Sequence, residues 1–358
     1  MALDRISLTH FRNHRSTSIE GTARFNLLVG ENGAGKTNVL EALSLLAPGR
    51  GLRRAALPDM AASTGPGGFG IGATLVEGTD GDGVRLGTAS DPQRPTRRSV
   101  RINGAEASAL ALGEWLAISW LTPAMDGLFT DSAGARRRWL DRMAVALDAA
   151  HARHASRYEA ALRERNRLLA GDMAPDRLWL DGIEAQMAEH GQALARGRAV
   201  LVDALVAELS ALPSEPFARP DLALVSGGTA AAETWRSART TDRAAGRTLA
   251  GPHRDDLSVT MASKGQPAAL SSTGEQKAML IAVTLAHASL AARGRAGVLL
   301  LDEVAAHLDP VRREALYERL GASGTQVWLT GTETAPFSPI LGEAAVWQVS
   351  GGETARRD

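Results

Sequence analysis

Apolar and polar positions alternate with a period of two between residues 3 and 25, whereas residues 64–105 are rich in Gly, Asp and Thr. This period is typical of half-buried strands, and it predicts two strands within 3–25. Asn103-Gly104 adds a strong hairpin signal, because both residues readily adopt positive φ. We therefore predict an antiparallel subsheet within 64–105, with strands at 70–76, 84–88 and 99–102.

Continuous apolar runs predict strands that are buried on both faces, as in a parallel sheet. Such runs occur at 25–29, 298–301 and 326–329, and a last strand at 345–349 precedes a charged tail. Residues 132–212 differ, because their apolar positions follow helical spacing with few strand signals. The pattern predicts an α/β fold with a mixed sheet, an antiparallel subsheet and an inserted, mainly helical lobe.

Residues 30–37 read G-E-N-G-A-G-K-T and fit the phosphate-binding loop G-x-x-x-x-G-K-[ST]. They lie between a predicted strand and an apolar helical stretch, the context that this motif requires. The glycines let backbone N–H groups turn toward phosphate oxygens, and the helix adds its positive end. A glycine-rich turn that only resembles the motif is the alternative. The predicted nucleotide contacts are Gly30, Glu31, Asn32, Gly33, Ala34, Gly35, Lys36 and Thr37.

Two carboxylates, Asp302 and Glu303, directly follow the apolar run 298–301. In a phosphate-loop NTPase the first carboxylate helps to hold Mg²⁺ and the second polarises the attacking water. We therefore predict Thr37 and Asp302 as metal ligands. Lys36, which would reach the β- and γ-phosphates, and Glu303 are the predicted catalytic residues.

Composition narrows the possible classes of protein. The chain contains no run of 18 apolar residues, so no membrane span is predicted. It contains no N-terminal basic segment followed by an apolar core, so no signal peptide is predicted. Cysteine is absent, which excludes disulfides and thiolate metal sites and fits a reducing cytoplasm. The 40 basic and 40 acidic residues balance, so any contact with nucleic acid must use a local patch.

A second helix start follows residue 270, where Ser271-Ser272-Thr273-Gly274-Glu275 precedes a long apolar helix. Serine or threonine three residues before glutamate is a helix-start signature, and an ordinary N-cap is the simpler interpretation. The coexistence with a phosphate loop favours another interpretation, in which backbone N–H groups and the Ser272 hydroxyl meet a phosphate.

Arginines supply the candidates for contacts with DNA phosphates. Arg136-Arg137-Arg138 opens a predicted helix, either as a solvated face or as a phosphate-contacting patch. Arginine is unfavourable at a helix N-terminus, which favours the patch slightly. For every candidate a solvated or structural role is the simpler interpretation. The other candidates are Arg12, His14, Arg50, Arg53 and Arg54.

The order of these motifs resembles the ABC-type ATPases. A phosphate loop, a helical insertion, a Ser-x-Gly-Glu helix start and a strand ending in Asp-Glu follow one another, with Leu308-Asp309 shortly after. The resemblance implies a discontinuous ATPase domain at 1–125 and 246–358 and a mainly helical lobe at 126–245. It also implies that Ser272 and Gly274 close over the γ-phosphate of a partner's ATP. ATP would then join a head-to-tail homodimer with Asp309 at its interface.

Two further stretches are similar to the DNA-repair branch of these ATPases, which includes the SMC proteins. One is Leu8-Thr9-His10-Phe11-Arg12-Asn13 together with the phosphate loop. The coiled coils of SMC proteins are missing from this chain. The other, at 251–257, reads G-P-H-R-D-D-L and is the most specific. Over nearly the whole chain the sequence resembles the RecF family of bacterial recombination mediators.

That resemblance implies an ATP-dependent, DNA-binding dimer at single-strand gaps or double-strand/single-strand junctions. It implies slow, Mg²⁺-dependent and DNA-dependent ATP hydrolysis, and cooperation with RecR and RecO in loading RecA onto gaps. It implies no membrane partner.

The sequence departs from the ABC pattern at three places. Residues 121–126 lack the glutamine that usually follows the strand before the helical lobe, and Thr273 replaces the first glycine of the transporter signature. Thr330-Gly331-Thr332 stands where transporter motors have a histidine. A hydroxyl stabilises charge less well, consistent with slow turnover.

Two other classes remain as alternatives. A phosphate-loop kinase or nucleotidase acting on a small molecule would use Lys36, Thr37 and Asp302 but has no use for Ser272, Gly274 or Asp309. A transporter ATPase subunit would need the missing histidine and a docking groove for a membrane partner.

Overall fold

The computed structural model describes residues 1–77, 83–171, 176–212, 216–305 and 308–357. The chain forms two compact units, one of Met1–Asp126, Pro213–Phe217 and Leu280–Asp358 and the other of Gly127–Leu212 and Ala218–Met279. The first change of unit lies between Asp126 and Gly127, and the predicted lobe starts at residue 126. The second unit extends to residue 279 rather than 245, because a strand near residue 220 pairs with the segment after residue 255.

Twelve described strands build the first unit. They are β1 (Ala2–Phe11), β2 (His14–Glu20), β3 (Phe25–Val29), β4 (Phe69–Val76), β5 (Val84–Asp91), β6 (Arg94–Ile102), β7 (Ala105–Ala107), β8 (Leu116–Leu121), β12 (Ala296–Leu301), β13 (Gln326–Gly331), β14 (Ala344–Ser350) and β15 (Glu353–Arg357). The helices here are α1 (Lys36–Ser44), α2 (Leu57–Met60), α3 (Leu112–Trp115) and α10 (Pro310–Ala322).

These strands form two sheets of six. The antiparallel sheet has the order β2-β1-β4-β5-β6-β7, so the two strands of 3–25 extend the subsheet predicted within 64–105. The mixed sheet has the order β15-β14-β3-β13-β12-β8, and only β15 runs antiparallel to its neighbour. The charged tail predicted after residue 349 is therefore wrong in part, because β15 extends the sheet with its charged side chains exposed.

The burial of each strand follows its sequence period. In β4 buried and half-buried residues alternate, whereas every residue of β3, β8, β12 and β13 is buried. Leu40 of α1, Leu8 of β1 and Leu300 of β12 belong to one apolar cluster. The helix that follows the phosphate loop thus shares a core with both sheets.

The second unit contains the helices α4 (Ala133–Leu147), α5 (Ala150–Leu169), α6 (Arg177–Ala211), α7 (Ala232–Ser237) and α8 (Arg239–Ala244). Helix α9 (Thr273–Ala291) starts in this unit and ends in the other. A three-stranded antiparallel sheet of β9 (Pro220–Val225), β10 (Asp256–Met261) and β11 (Gln266–Pro267) completes it, in the order β11-β10-β9. Among the described residues, no helix has the length and apolar character needed to cross a membrane.

A buried arginine cross-links the helices of this unit. Arg165 on α5 is fully buried and donates to Glu184 on α6 at 2.9 Å and to Asp242 on α8 at 2.7 Å. It also donates to the Thr248 hydroxyl and to the carbonyl of Trp235. A buried cation requires such partners, because its desolvation is costly. This one side chain therefore joins four segments of the second unit.

Candidate nucleotide-binding site

The phosphate loop joins β3 to α1 and needs glycine for two separate reasons. Gly33 and Gly35 have φ of 82° and 118°, a region that side chains other than glycine rarely adopt. At Gly30 a Cβ would lie 2.2 Å from the carbonyl oxygen of Val349, so the backbone there packs against β14. The sequence motif thus has the geometry predicted for it.

Two turns brace the loop from behind. The Asn13 side-chain amide donates to the carbonyl of Ala34 at 3.0 Å, and the backbone N–H of Gly352 donates to the same oxygen at 3.1 Å. His14 Nε2 donates to the carbonyl of Gly35 at 3.0 Å. These bonds hold the outer carbonyls of the loop, and the backbone N–H groups of Gly30 and Ala34 donate to the carbonyls of Gly331 and Glu31.

His14 is fully buried in this arrangement and hydrogen-bonds Thr17 through its other ring nitrogen. Burial holds the pKa of His14 below its ordinary value, against the opposing effect of its backbone acceptors. A neutral, buried imidazole behind the loop has no surface to offer a DNA phosphate, so the geometry favours a structural role for this residue.

Lys36 points back into the loop. Its Nζ donates to the carbonyls of Gly30 at 2.6 Å and Glu31 at 2.8 Å. Burial lowers the pKa of Lys36, and the nearby carboxylates of Glu303 and Asp302 oppose that shift. The cation therefore lies between the loop and the two carboxylates at the end of β12.

Thr37 and Asp302 are in direct contact. The Thr37 hydroxyl donates to Asp302 Oδ1 at 2.8 Å, and the other carboxylate oxygen lies 3.1 Å away. A hydroxyl and a carboxylate are the oxygen donors that Mg²⁺ prefers. Both predicted metal ligands are thus brought together beside Lys36, and the residues present fit a magnesium–nucleotide site.

Thr330 at the end of β13 links the Asp302 carboxylate to the backbone of Glu303, a role that the sequence alone did not reveal. Its buried hydroxyl donates to Asp302 Oδ1 at 2.8 Å and accepts the backbone N–H of Glu303 at 2.9 Å. Glu303 has φ of 53°, which is strained for a residue with a side chain. The hydroxyl thus helps to fix the strained turn that carries Glu303.

We predict that Thr330→Val lowers the rate of ATP turnover about tenfold or more, with little change in ATP affinity. The isosteric change leaves the Glu303 N–H without its acceptor, and Asp302 loses one of its two hydroxyl donors and keeps Thr37. Steady-state hydrolysis and nucleotide binding are the measurements. Thr330→Ser, which keeps the hydroxyl, should retain most of the activity, and equal losses in both variants would contradict the proposed positioning.

The second helix start forms a capping box. The backbone N–H of Ser272 donates to Glu275 Oε2 at 2.9 Å, and the Glu275 N–H donates to the Ser272 hydroxyl at 3.3 Å. Hydrogen bonding from Lys264 and from Ser272 lowers the pKa of Glu275 to about 2. The ordinary N-cap interpretation is therefore satisfied.

This cap also has an open surface. Ser272, Thr273 and Gly274 are exposed, and Leu270 just before them is 75% exposed, which is unusual for a leucine. The N-terminal N–H groups of α9 thus lie at a surface with an apolar side chain beside them. Asp309 caps α10 by accepting the backbone N–H of Arg312 at 3.0 Å, and about half of its side chain is exposed.

Several arginine candidates are held by internal carboxylates. Arg12 forms a two-pronged pair with the buried Glu41 at 2.8 and 2.9 Å, and Arg53 donates to the same carboxylate at 2.7 Å. Arg136 pairs in the same way with Asp256 at 2.7 and 2.8 Å, and Arg137 donates to the carbonyl of Asp255. These four guanidinium groups have structural partners.

Arg50, Arg54 and Arg138 differ from these four. All three are exposed, and within the described ranges none of them forms an ion pair shorter than 4 Å. Their charges face solvent, which leaves them as the stronger candidates for contacts with a polyanion.

The G-P-H-R-D-D-L stretch is a packing centre of the second unit. Asp255 pairs with Arg198 of α6 at 2.8 Å and accepts the Gly227 N–H, and Arg198 also pairs with Asp141 of α4. His253 accepts the Tyr158 hydroxyl at 2.8 Å. At Gly251, φ is 130° and a Cβ would lie 2.9 Å from the Tyr158 oxygen. The specificity of this motif thus reflects structural contacts, whereas Arg254 within it is exposed.

A family model described as the RecF/RecN/SMC N terminal domain matches residues 2–339. The DNA replication and repair protein RecF of Brucella suis biovar 1 is 47% identical, over 99% of this chain and 96% of its own length. RecF of Mesorhizobium japonicum is 48% identical, over 98% and 96%.

Solved structures show the same fold. The recombination mediator protein RecF-ATPrS of the RecFOR pathway matches with a TM-score of 0.86 and 21% identity, over 99% of this chain and 98% of that one. An SMC head bound to the C-winged helix domain of ScpA matches with a TM-score of 0.55 and 14% identity, over 100% and 98%. The predicted ATPase head fold is confirmed. With relatives 47–48% identical across nearly its whole length, the chain belongs to the RecF family of DNA replication and repair proteins.

Proposed function

We propose that the protein is an ATP-dependent DNA-binding recombination mediator, in which bound ATP joins two copies head to tail. The observation that carries this proposal is the contact of Thr37 with Asp302 beside Lys36, together with a separate, exposed Ser272–Gly274 cap. A small-molecule kinase would need only the first of these features. The second gives a partner's nucleotide a place to bind.

In this mechanism the phosphate loop binds the nucleotide through its inward N–H groups, and Lys36 holds the β- and γ-phosphate charge. Mg²⁺, held by Thr37 and Asp302, would neutralise phosphate charge. Glu303, fixed by Thr330, orients and polarises the attacking water. Because no histidine follows β13, little positive charge assists the reaction, and turnover is slow.

The dimer forms when the α9 cap of one copy binds the γ-phosphate on the other. A helix N-terminus is suited to an anion because of its positive end, and Ser272 adds a hydroxyl. Leu270 supplies apolar area that a second copy would cover. Asp309, exposed at the start of α10, belongs to the same proposed interface. Hydrolysis removes the γ-phosphate and so releases the dimer.

Ser272→Arg tests the dimer. We predict that this variant binds ATP like wild type and stays monomeric, because a long cation replaces the small hydroxyl at the cap. Sedimentation velocity with and without ATP is the measurement. Ser258→Arg, which changes an exposed serine of β10 in the same unit, is the matched control and should dimerise normally. ATP-dependent dimers of the Ser272 variant would refute the role of the cap.

For DNA, we propose contacts from Arg50, Arg54 and Arg138, the exposed candidates without ion pairs. Neutralising each to Gln should weaken binding to gapped DNA and lower the slope of log K against log salt by about one per contact. Arg5→Gln, an exposed arginine already paired with Glu20, is the control. Unchanged slopes in all three variants would place the DNA elsewhere. Through their internal pairs, Arg12 and Arg53 are proposed to support the contacts of the first unit, and Arg136 and Arg137 those of the second unit.

The wider pathway is proposed from the relatives alone. Their names place RecF in DNA replication and repair, and one structure places it in the RecFOR pathway. We infer that this protein acts with RecR and RecO to load RecA at single-strand gaps or double-strand/single-strand junctions, with DNA-dependent ATP hydrolysis. Binding to purified RecR in the presence of ATP and gapped DNA is the direct measurement.

A further inference from the structure

Two histidines face each other across the α5–α6 pair, in the unit that lacks the phosphate loop. The Nδ1 atoms of His154 and His190 lie 3.2 Å apart, with ring centroids at 5.3 Å. Gly191 explains how the helices come this close, because a Cβ there would lie 3.0 Å from the Tyr158 ring, one turn along α5 from His154.

Two chemical arrangements are compatible with the close approach of these two nitrogens. Either one Nδ1 carries a proton and donates it to the other, or both nitrogens point lone pairs at a shared cation. Zinc binds imidazole nitrogen at about 2.0–2.1 Å, so two ligands of a tetrahedral ion lie about 3.3 Å apart. The observed separation is close to that value. Burial also lowers the pKa of His154, which favours the neutral imidazole that binds metals.

The neighbouring charges define what kind of site this is. Glu189 Oε1 lies 3.8 Å from His190 Nδ1, on a side chain that is 72% exposed. Asp148 favours positive charge at His154, whereas Arg153 and His151 oppose it. His151 itself is buried and bonded to Asp141, so it is committed elsewhere.

No group of three or more histidine, aspartate or glutamate side chains in the described ranges is arranged as a complete metal site. The pair is therefore an open site, with two protein nitrogens and positions left for water or for the Glu189 carboxylate.

We propose that His154 and His190 bind a divalent transition-metal ion of the zinc class. Imidazole nitrogen selects Zn²⁺, Ni²⁺ or Cu²⁺ over Mg²⁺, which prefers oxygen, so this site does not compete for the metal of the nucleotide site. The chain has no cysteine to bind such an ion instead. Because both ligands are brought together only in the folded protein, the ion stabilises the α5–α6 pair.

The test is calorimetric titration of the full-length, EDTA-treated protein with ZnCl₂ in excess Mg²⁺, together with thermal unfolding at each zinc concentration. We expect one Zn²⁺ per chain, a melting temperature that rises with zinc, and at least tenfold weaker binding in His154→Ala and in His190→Ala. In EDTA both variants should unfold near the wild-type temperature, since only one hydrogen bond is lost.

His10→Asn, which changes a half-exposed histidine of the first unit, is the control and should bind zinc like wild type. Equal affinity in wild type and in the double variant would show binding at other groups and overturn the proposal. So would the absence of binding to wild type at millimolar zinc. Neither result bears on the ATP-dependent dimer, because the site lies outside its machinery.

Discussion

Glu303→Gln is expected to lower ATP turnover about 100-fold or more and to leave ATP binding intact. The amide keeps the size of the side chain but cannot accept the proton of the attacking water, and general-base catalysis typically contributes about 10²–10⁴-fold. Because Glu303 follows Asp302 in the chain and Thr330 fixes its backbone, the metal ligands should stay in place. The variant should therefore accumulate as an ATP-bound dimer.

Single-turnover hydrolysis and sedimentation velocity with ATP are the two measurements. Glu333→Gln is the matched control, since Glu333 is an exposed glutamate shortly after β13, and it should turn over ATP like wild type. A Glu303 variant that hydrolyses ATP at the wild-type rate would exclude this carboxylate as the base. A Glu303 variant that hydrolyses ATP slowly but stays monomeric would support Glu303 as the base and contradict the ATP-dependent dimer.

Arg165→Met is expected to lower the free energy of unfolding by about 3–5 kcal/mol, the typical cost of breaking a buried ion pair by removing one partner. Methionine fills much of the same space, so the loss is chiefly electrostatic. Glu184 keeps a second partner, Arg239, at 2.5 Å. Asp242 is left with the backbone N–H of Leu249, which cannot balance a buried charge.

Urea unfolding followed by circular dichroism measures this loss. Arg167→Met, two residues along the same helix, removes an exposed pair with Glu164 and should change stability by less than about 1 kcal/mol. If both variants lose the same free energy of unfolding, the buried network stabilises the fold no more than an exposed ion pair does. If Arg165→Met does not fold at all, Arg165→Lys replaces it in the test, because lysine keeps one positive charge. The Lys variant should fold, with a free energy of unfolding lower than those of wild type and Arg167→Met.

The nucleotide site could be predicted from the sequence because each part of it is local. A phosphate loop consists of consecutive residues between a strand and a helix, and Asp302-Glu303 ends an apolar run. Their meeting follows from the topology, since β3 and β12 both lie beside β13 and run parallel to it. The carboxyl ends of such strands share one edge of the sheet.

Contacts between distant residues could not be predicted in this way. Thr330 looked like a substitute for a missing histidine, but its buried hydroxyl is bonded to Asp302 and to the Glu303 backbone. Arg12 and Arg136 were candidates for phosphate contacts beside a simpler solvated or structural interpretation, and their carboxylate partners lie 29 and 120 residues away. A one-dimensional pattern shows that a charge is present and does not show what balances it.

The bracing of the phosphate loop has a consequence for how the protein is made. Ala34 is held by Asn13 and by Gly352, and β3 itself lies between β13 and β14. A ribosome synthesises Gly30 to Thr37 about 300 residues before it reaches these last supports. The nascent chain therefore carries a loop that lacks its C-terminal supports for most of its synthesis. The loop should bind nucleotide only after the C-terminal strands have been synthesised. Incomplete chains should therefore bind neither ATP nor DNA.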